Sequence, residues 1–266
     1  MMSVQSKDGT RIAYDVYGSG SSLIYCTGAG SFRTSRPVVC AAKTFANRFT
    51  LFCYDRRGRG DSGNFPPYAI GRELEDIEAM INVAGGRASL FGHSTGAVLA
   101  LEAALRFSHK IDHLVLYEPA YAYDQADQER KEQLRHAIQL LLRSGKRAKA
   151  LSYFLRWSGT PYPLILWRRM LPTWQTMLDL SPSLLYDIEL SLLKPPIEQA
   201  ARLDLPVLVA VGEKSAPSLQ AVAHQLGEAI PNASFMRVSG QGYQVCSRVM
   251  LRMLSDFIQP MHSVSY

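Results

Sequence analysis

Gly92-His93-Ser94-Thr95-Gly96 decides how this chain is read. It fits G-x-S-x-G, a pattern in which a serine sits on a sharp turn between a strand and a helix. Both flanks suit that setting. Arg87-Ala88-Ser89-Leu90-Phe91 is a short apolar run of the kind a buried strand uses. Ala97 through Leu105 is rich in the strong helix formers Ala and Leu. A glycine at each end of the pentapeptide implies a turn too tight for a Cβ.

Outward from this turn, strand and helix signals alternate. Strands are expected at Thr10 to Tyr17, Leu23 to Cys26, Phe49 to Tyr54, Ile111 to Tyr117, Pro206 to Gly212 and Ala233 to Val238. Helices are expected at Ile70 to Val83, Pro217 to Ala229 and Val245 to Ile258. Such alternation implies a mostly parallel sheet with helices on both faces. The rhythm breaks from about Tyr123 to Lys194, where only helix-like segments occur, interrupted at Ser158-Gly159, Pro161, Pro163, Pro172 and Ser181-Pro182. This stretch is read as a helical cap inserted at 123–194 into a core made of 1–122 and 195–266.

Composition narrows the classes. The 266 residues suit one large α/β domain or one domain with an insertion. No apolar run is long enough to span a bilayer. The first residues lack the apolar stretch of a secretory leader, so a cytoplasmic protein is expected. None of the four cysteines forms a C-x-x-C pair, and neither a metal nor a cofactor is expected. Cys26 and Cys53 lie in strand-like runs and read as buried thiols. The net charge of +6 comes with no nucleic-acid motif, so nucleic acid is not an expected partner. Much of the basic excess lies between Arg130 and Arg169; it is read as a solvated helical face, or as steering for an anionic or carrier-bound substrate. The oligomeric state is not legible.

With these segments in view, the chain resembles the α/β-hydrolase superfamily over nearly its whole length. Three motifs carry the likeness: Thr27-Gly28-Ala29-Gly30 at the oxyanion-loop position, Asp55-Arg56-Arg57-Gly58-Arg59-Gly60-Asp61-Ser62 as a D-x-R-G-x-G-x-S loop, and the elbow itself. The resemblance implies an eight-stranded, mostly parallel sheet flanked by helices, with a cap after the sixth strand. It implies Ser94 as nucleophile and the N–H groups of Ala29 and Thr95 as the oxyanion hole. The Asp55–Ser62 loop is read as structural bracing.

Two positions depart from the pattern. After the seventh strand the family commonly has G-x-x-D; here Gly212-Glu213-Lys214-Ser215 puts serine at the acid. Some relatives carry the acid after the sixth strand, where Glu118 stands, either as a catalytic carboxylate or as an anchor. Glu213 is a weaker substitute. In Ser239-Gly240-Gln241-Gly242-Tyr243, tyrosine occupies the position of the histidine. A phenol with a pKa of about 10 does not accept a serine proton at neutral pH as imidazole does. Among the other histidines, His93 is expected to pack beside the serine and His136 to hang from the cap into the pocket. His109 and His113 lie at the wrong end of the sheet, His224 on a helix surface and His262 in a tail.

The cap is dense in aromatics and Met. Most should form its own core, while Trp157, Trp167 and Trp174, with Gly28, His93 and His136, are taken as lining an apolar pocket above Ser94. Three functions follow. The first is hydrolysis or acyl transfer at Ser94 on a small hydrophobic carbonyl or acyl compound, with a non-standard base and Glu118 tuning it. The second is a non-hydrolytic cyclisation, elimination or isomerisation, with Ser94 and Tyr243 as hydrogen-bonding groups. The third is a catalytically inactive ligand-binding relative.

Overall fold

The computed structural model describes residues 1–259. Eight strands form one sheet: β1 (Met2–Gln5), β2 (Arg11–Tyr17), β3 (Ser21–Cys26), β4 (Phe49–Tyr54), β5 (Ala88–His93), β6 (Ile111–Tyr117), β7 (Val207–Gly212) and β8 (Ala233–Val238). Their order is β1-β2-β4-β3-β5-β6-β7-β8. Only β1–β2 and β2–β4 pair antiparallel; every pair from β4 to β8 is parallel. Parallel neighbours require crossovers. These are supplied by α1 (Arg36–Phe45), α2 (Ile70–Val83), α3 (Thr95–Phe107) and α10 (Pro217–Ala229), and α11 (Ser247–Ile258) follows β8.

Burial on both faces explains the near-continuous apolar strands. β7 is buried at every position, and α3 buries ten of its thirteen residues. One face packs α2, α3 and α10 around Ile24, Leu90, Leu116 and Val209. The other packs α1 and α11 around Leu23, Phe91, Val115 and Leu208. The alternation of these residues along β3, β5, β6 and β7 is the period-two rule. Cys26 and Cys53 are buried free thiols.

Most expected elements occur at their expected bounds. Two did not register: β1, which is short and exposed, and α1, whose start is signalled by Pro37 at its first turn. Between β6 and β7 the described chain is helical: α4 (Gln125–Arg143), α5 (Arg147–Trp157), α6 (Tyr162–Arg168), α7 (Thr173–Leu180), α8 (Leu184–Leu192) and α9 (Ile197–Ala200). α8 packs on α3, which brings this helical segment to the end of the sheet that carries the elbow.

Candidate active site

Register assembles the site. His93 of β5 stands beside Tyr117 of β6, Tyr117 beside Ala210 of β7, and Gly212 of β7 beside Val238 of β8. Because the strands run parallel, whatever follows them emerges on one edge. Ser94, Glu118, Ser215 and Tyr243, far apart in sequence, therefore share that edge. Cys26 of β3 pairs with Gly92, which brings the Thr27–Gly30 loop beside the elbow.

The elbow glycines have a steric cause. A Cβ on Gly96 would overlap the Cys26 carbonyl oxygen, and one on Gly92 would collide with Gly96 and Ala97. Between them Ser94 has φ 57° and ψ −121°, a region L-residues rarely occupy. Such strain persists only where the surroundings enforce it. Here the Ser94 N–H donates to the Tyr117 carbonyl at 2.9 Å, and the Ser94 carbonyl accepts from Ala97 N–H at 2.9 Å. Ser94 is 8% exposed at the N-terminus of α3, where the helix dipole favours negative charge. Among the described residues, neither Ala29 N–H nor Thr95 N–H donates to a protein acceptor.

Tyr243 is held by its loop. The Gly242 carbonyl accepts from Tyr117 Oη at 2.8 Å, and the Gln241 carbonyl accepts from Lys214 N–H at 2.8 Å. Gly212 permits this approach, since a Cβ there would lie 2.7 Å from both the Gln241 carbonyl oxygen and Gly242 Cα. Tyr243 is 48% exposed as a residue. Its hydroxyl nevertheless points inward: a Cβ added to Gly28 would stand 3.1 Å from Ser94 Cβ and 3.6 Å from Tyr243 Oη. Desolvation of this hydroxyl pushes the phenol above its ordinary pKa, while the neighbouring Ser94 side chain pulls it down. The phenol is therefore neutral at physiological pH.

Glu118 also has a left-handed backbone, φ 52°, and is fully buried. Its Oε1 accepts a hydrogen bond from Ser215 Oγ, so the serine at the usual acid position is tied to the carboxylate after β6. Burial raises the Glu118 pKa, opposed by that hydrogen bond. Glu118 Oε2 has no hydrogen-bond partner among the described residues. Glu213 lies elsewhere: it is exposed, and its Oε2 accepts from Gly240 N–H at 2.8 Å and Ser239 Oγ at 3.1 Å. It braces the turn before Tyr243. The His93 ring packs against Tyr117 and Tyr243, with centroids 5.4 and 5.0 Å away. Burial pushes its pKa down to about 4, against the neighbouring Tyr243 backbone, which raises it. His93 Nε2 has no partner among the described residues.

The expected pocket lining needs correction. His136 is exposed on α4. Trp157 and Trp167 are exposed as well, while Trp174 is buried with Leu151, Leu155, Ile165 and Leu184 in the core of the helical segment. Gly28 and His93 do adjoin Ser94 and Tyr243. Helices this short bury their apolar faces on one another first, which takes Trp174 into their own core. A depression of about 330 Å³, lined by Gly58, Gly60, Asn64, Pro182 and Tyr186, lies beside the 55–62 loop and does not include Ser94. His262 lies outside the described residues.

What adjoins the elbow instead is Asp187, a residue the sequence reading passed over. Its Oδ1 accepts from Thr95 Oγ1 at 2.9 Å and Arg56 Nη1 at 2.7 Å. Its Oδ2 accepts from Arg59 Nη2 at 2.6 Å and Gly30 N–H at 3.4 Å. Arg59 Nη1 also donates to the Gly28 carbonyl at 2.9 Å. One carboxylate of α8 thus joins Gly30, the residue after Ser94 and two buried arginines, one of which also holds Gly28. Desolvation would raise its pKa, but Arg59 and Arg56 hold it below the usual carboxylate range. The available signal was an Asp inside the apolar run Leu184-Leu185-Tyr186-Asp187-Ile188; a charge so placed needs a partner. Among the described residues, no cluster of three or more His, Cys, Asp or Glu side chains could hold a metal ion. No described helix is long and apolar enough to cross a membrane.

The sheet order, the strained serine and the surrounding loops define an α/β-hydrolase-fold enzyme. The sequence pattern of the Alpha/beta hydrolase family matches residues 12–245, and the chain belongs to that family. An α/β hydrolase from Sphaerobacter thermophilus is 35% identical, with TM-score 0.85 over 97% of this chain and 100% of that one. The enol-lactonase of Burkholderia xenovorans shares the fold at TM-score 0.75 and 15% identity, over 97% and 99% of the two chains. An uncharacterized hydrolase of Bacillus subtilis is 29% identical over 115 residues, 42% of each chain. That alignment spans less than half the length of the curated relative.

Proposed function

We propose that this enzyme acts on a small hydrophobic acyl compound at Ser94, with the substrate carbonyl bound by the Ala29 and Thr95 N–H groups. The helical segment 123–194 acts as its cap. The observation that carries this reading is the convergence of Ser94 and Tyr243 on Gly28, where an added Cβ would stand 3.1 Å from Ser94 Cβ and 3.6 Å from Tyr243 Oη, with a phenol that burial keeps neutral. A neutral phenol is a poor base but a competent relay. Ser94 Oγ bonds to the acyl carbon as the leaving-group bond breaks. The Ser94 proton passes to Tyr243 Oη while the phenol proton goes to the leaving group, so Tyr243 begins and ends neutral. Water reverses the relay to release the acid. Without imidazole, the scheme suits good leaving groups, such as aryl esters and thioesters. The oxyanion donors supply stabilisation that grows as charge develops, about 3–4 kcal/mol per donor in measured cases. Glu118 and Ser215 orient the relay from behind.

The raised phenol also supports a second reading, in which Tyr243 only donates a proton and Ser94 only hydrogen-bonds. The reaction would then be cyclisation or isomerisation without water uptake. Labelling with a fluorophosphonate probe separates the two. Covalent modification at Ser94, absent in Ser94→Ala, is the expected result. A folded protein that resists the probe gives way to the non-hydrolytic reading or to a ligand-binding role.

A further inference from the structure

α6 is apolar on nearly every side, with sequence Tyr-Pro-Leu-Ile-Leu-Trp-Arg. A helix of that kind is ordinarily buried. Here only Ile165 is. Leu166 and Trp167 stay 42% and 52% exposed, and the next turn leaves Met170 76% exposed. α5 packs against α6. Its inner side, Ala150, Leu151 and Leu155, is buried. Its outer side presents Lys149, Tyr153, Arg156 and Trp157, all exposed and spaced along one helical stripe. Exposed apolar groups concentrated in this way mark an interaction surface.

Charge says what covers it. Between Glu132 and Asp179 the chain carries eight basic side chains and no acidic one, although the whole protein is only +6. Of these eight, only Arg135 has a carboxylate partner among the described residues, Glu132. Lys146, Arg147, Lys149 and Arg156 are exposed around the aromatic groups. Apolar side chains ringed by unpaired cations fit a surface that is negative outside and apolar beneath. Trp and Tyr favour that boundary, and Lys and Arg reach from it to headgroups. We infer that the α5–α6 face docks on an anionic lipid surface, resting on it and not crossing it. An acidic protein would meet the cations but would leave Leu166, Trp167 and Met170 without apolar cover. This surface is independent of the chemistry at Ser94.

Co-sedimentation with vesicles tests it, comparing phosphatidylcholine containing a third phosphatidylglycerol with phosphatidylcholine alone. Each basic residue near an anionic surface strengthens binding about fivefold, so at least tenfold tighter binding to the anionic vesicles is expected. Trp157→Ser with Trp167→Ser should weaken it tenfold or more with an unchanged thermal midpoint, since both side chains are exposed. Three results overturn the inference. One is equal or absent binding to both vesicles. Another is anionic binding that the tryptophan variant leaves unchanged, as a charge-only protein contact would. The last is a lipid-free dimer that Trp167→Ser dissociates, which would give the face to a second copy.

Discussion

The 55–62 loop and the Ser94–Tyr243 edge are neighbours built on opposite rules. In the loop, buried charge is almost fully compensated. Arg56 uses all three nitrogens on Glu73, Asp187 and nearby acceptors, and Arg57 uses all three on Asp76, Asp8 and the Arg72 carbonyl. Of these arginines, only Arg59 keeps a nitrogen, Nε, without a partner among the described residues. On the Ser94–Tyr243 edge, Glu118 Oε2 and His93 Nε2 are buried without partners among the described residues, and Ser94 and Glu118 hold strained backbones. Compensated charge fixes a shape. Unspent polar groups are available to a ligand, at a cost in stability.

Breaking the compensated side should have the largest effect. Asp187→Ala leaves Arg56 and Arg59 buried without their shared carboxylate, and removing one partner of such a pair costs about 3–5 kcal/mol. Urea unfolding should show this loss, together with weaker probe labelling at Ser94 as the Thr27–Gly30 loop loosens. Unchanged stability would mean that the cluster does not hold the fold.

The uncompensated side should appear as pH dependence. His93 falls from an ordinary 6.5 to about 4 in the folded protein, because burial disfavours the cation. The unfolded chain then takes up a proton that the folded chain refuses. Stability from this group is complete above about pH 6.5 and falls as pH drops toward 4, by about 2 kcal/mol at pH 5. Urea midpoints at pH 7 and pH 5 should show that decline, and His93→Gln should remove its share of it.

A smaller effect is expected from Tyr243→His, which puts imidazole beside Ser94 and should raise turnover of an activated aryl ester about tenfold or more. No gain, with the ring shown to reach Ser94, would mean that the acid or the oxyanion site is also deficient. The smallest effect should come from Ser215→Ala. Glu118 would lose the hydrogen bond from Ser215 Oγ, at a cost of about 1 kcal/mol, with its pKa raised further.

Local chemistry made much of this protein legible in the sequence. The elbow glycines, the β-branched runs and the helix periods depend on neighbours within a turn or a strand, so the sheet and the position of Ser94 could be read directly. The tyrosine at the histidine position and the serine at the acid position were equally plain. Tertiary structure alone decided what each of these touches. Tyr243 meets Ser94 because Gly212 lets two loops close on one another, and Ser215 meets Glu118 because β6 and β7 lie side by side in parallel. It also decided that the helical segment's aromatics divide between its own core and its outer surface, and that Asp187 lies beside the elbow. Periodicity identifies an apolar face but not its partner. A buried ion pair joins residues more than a hundred positions apart, a separation that only the closed fold spans.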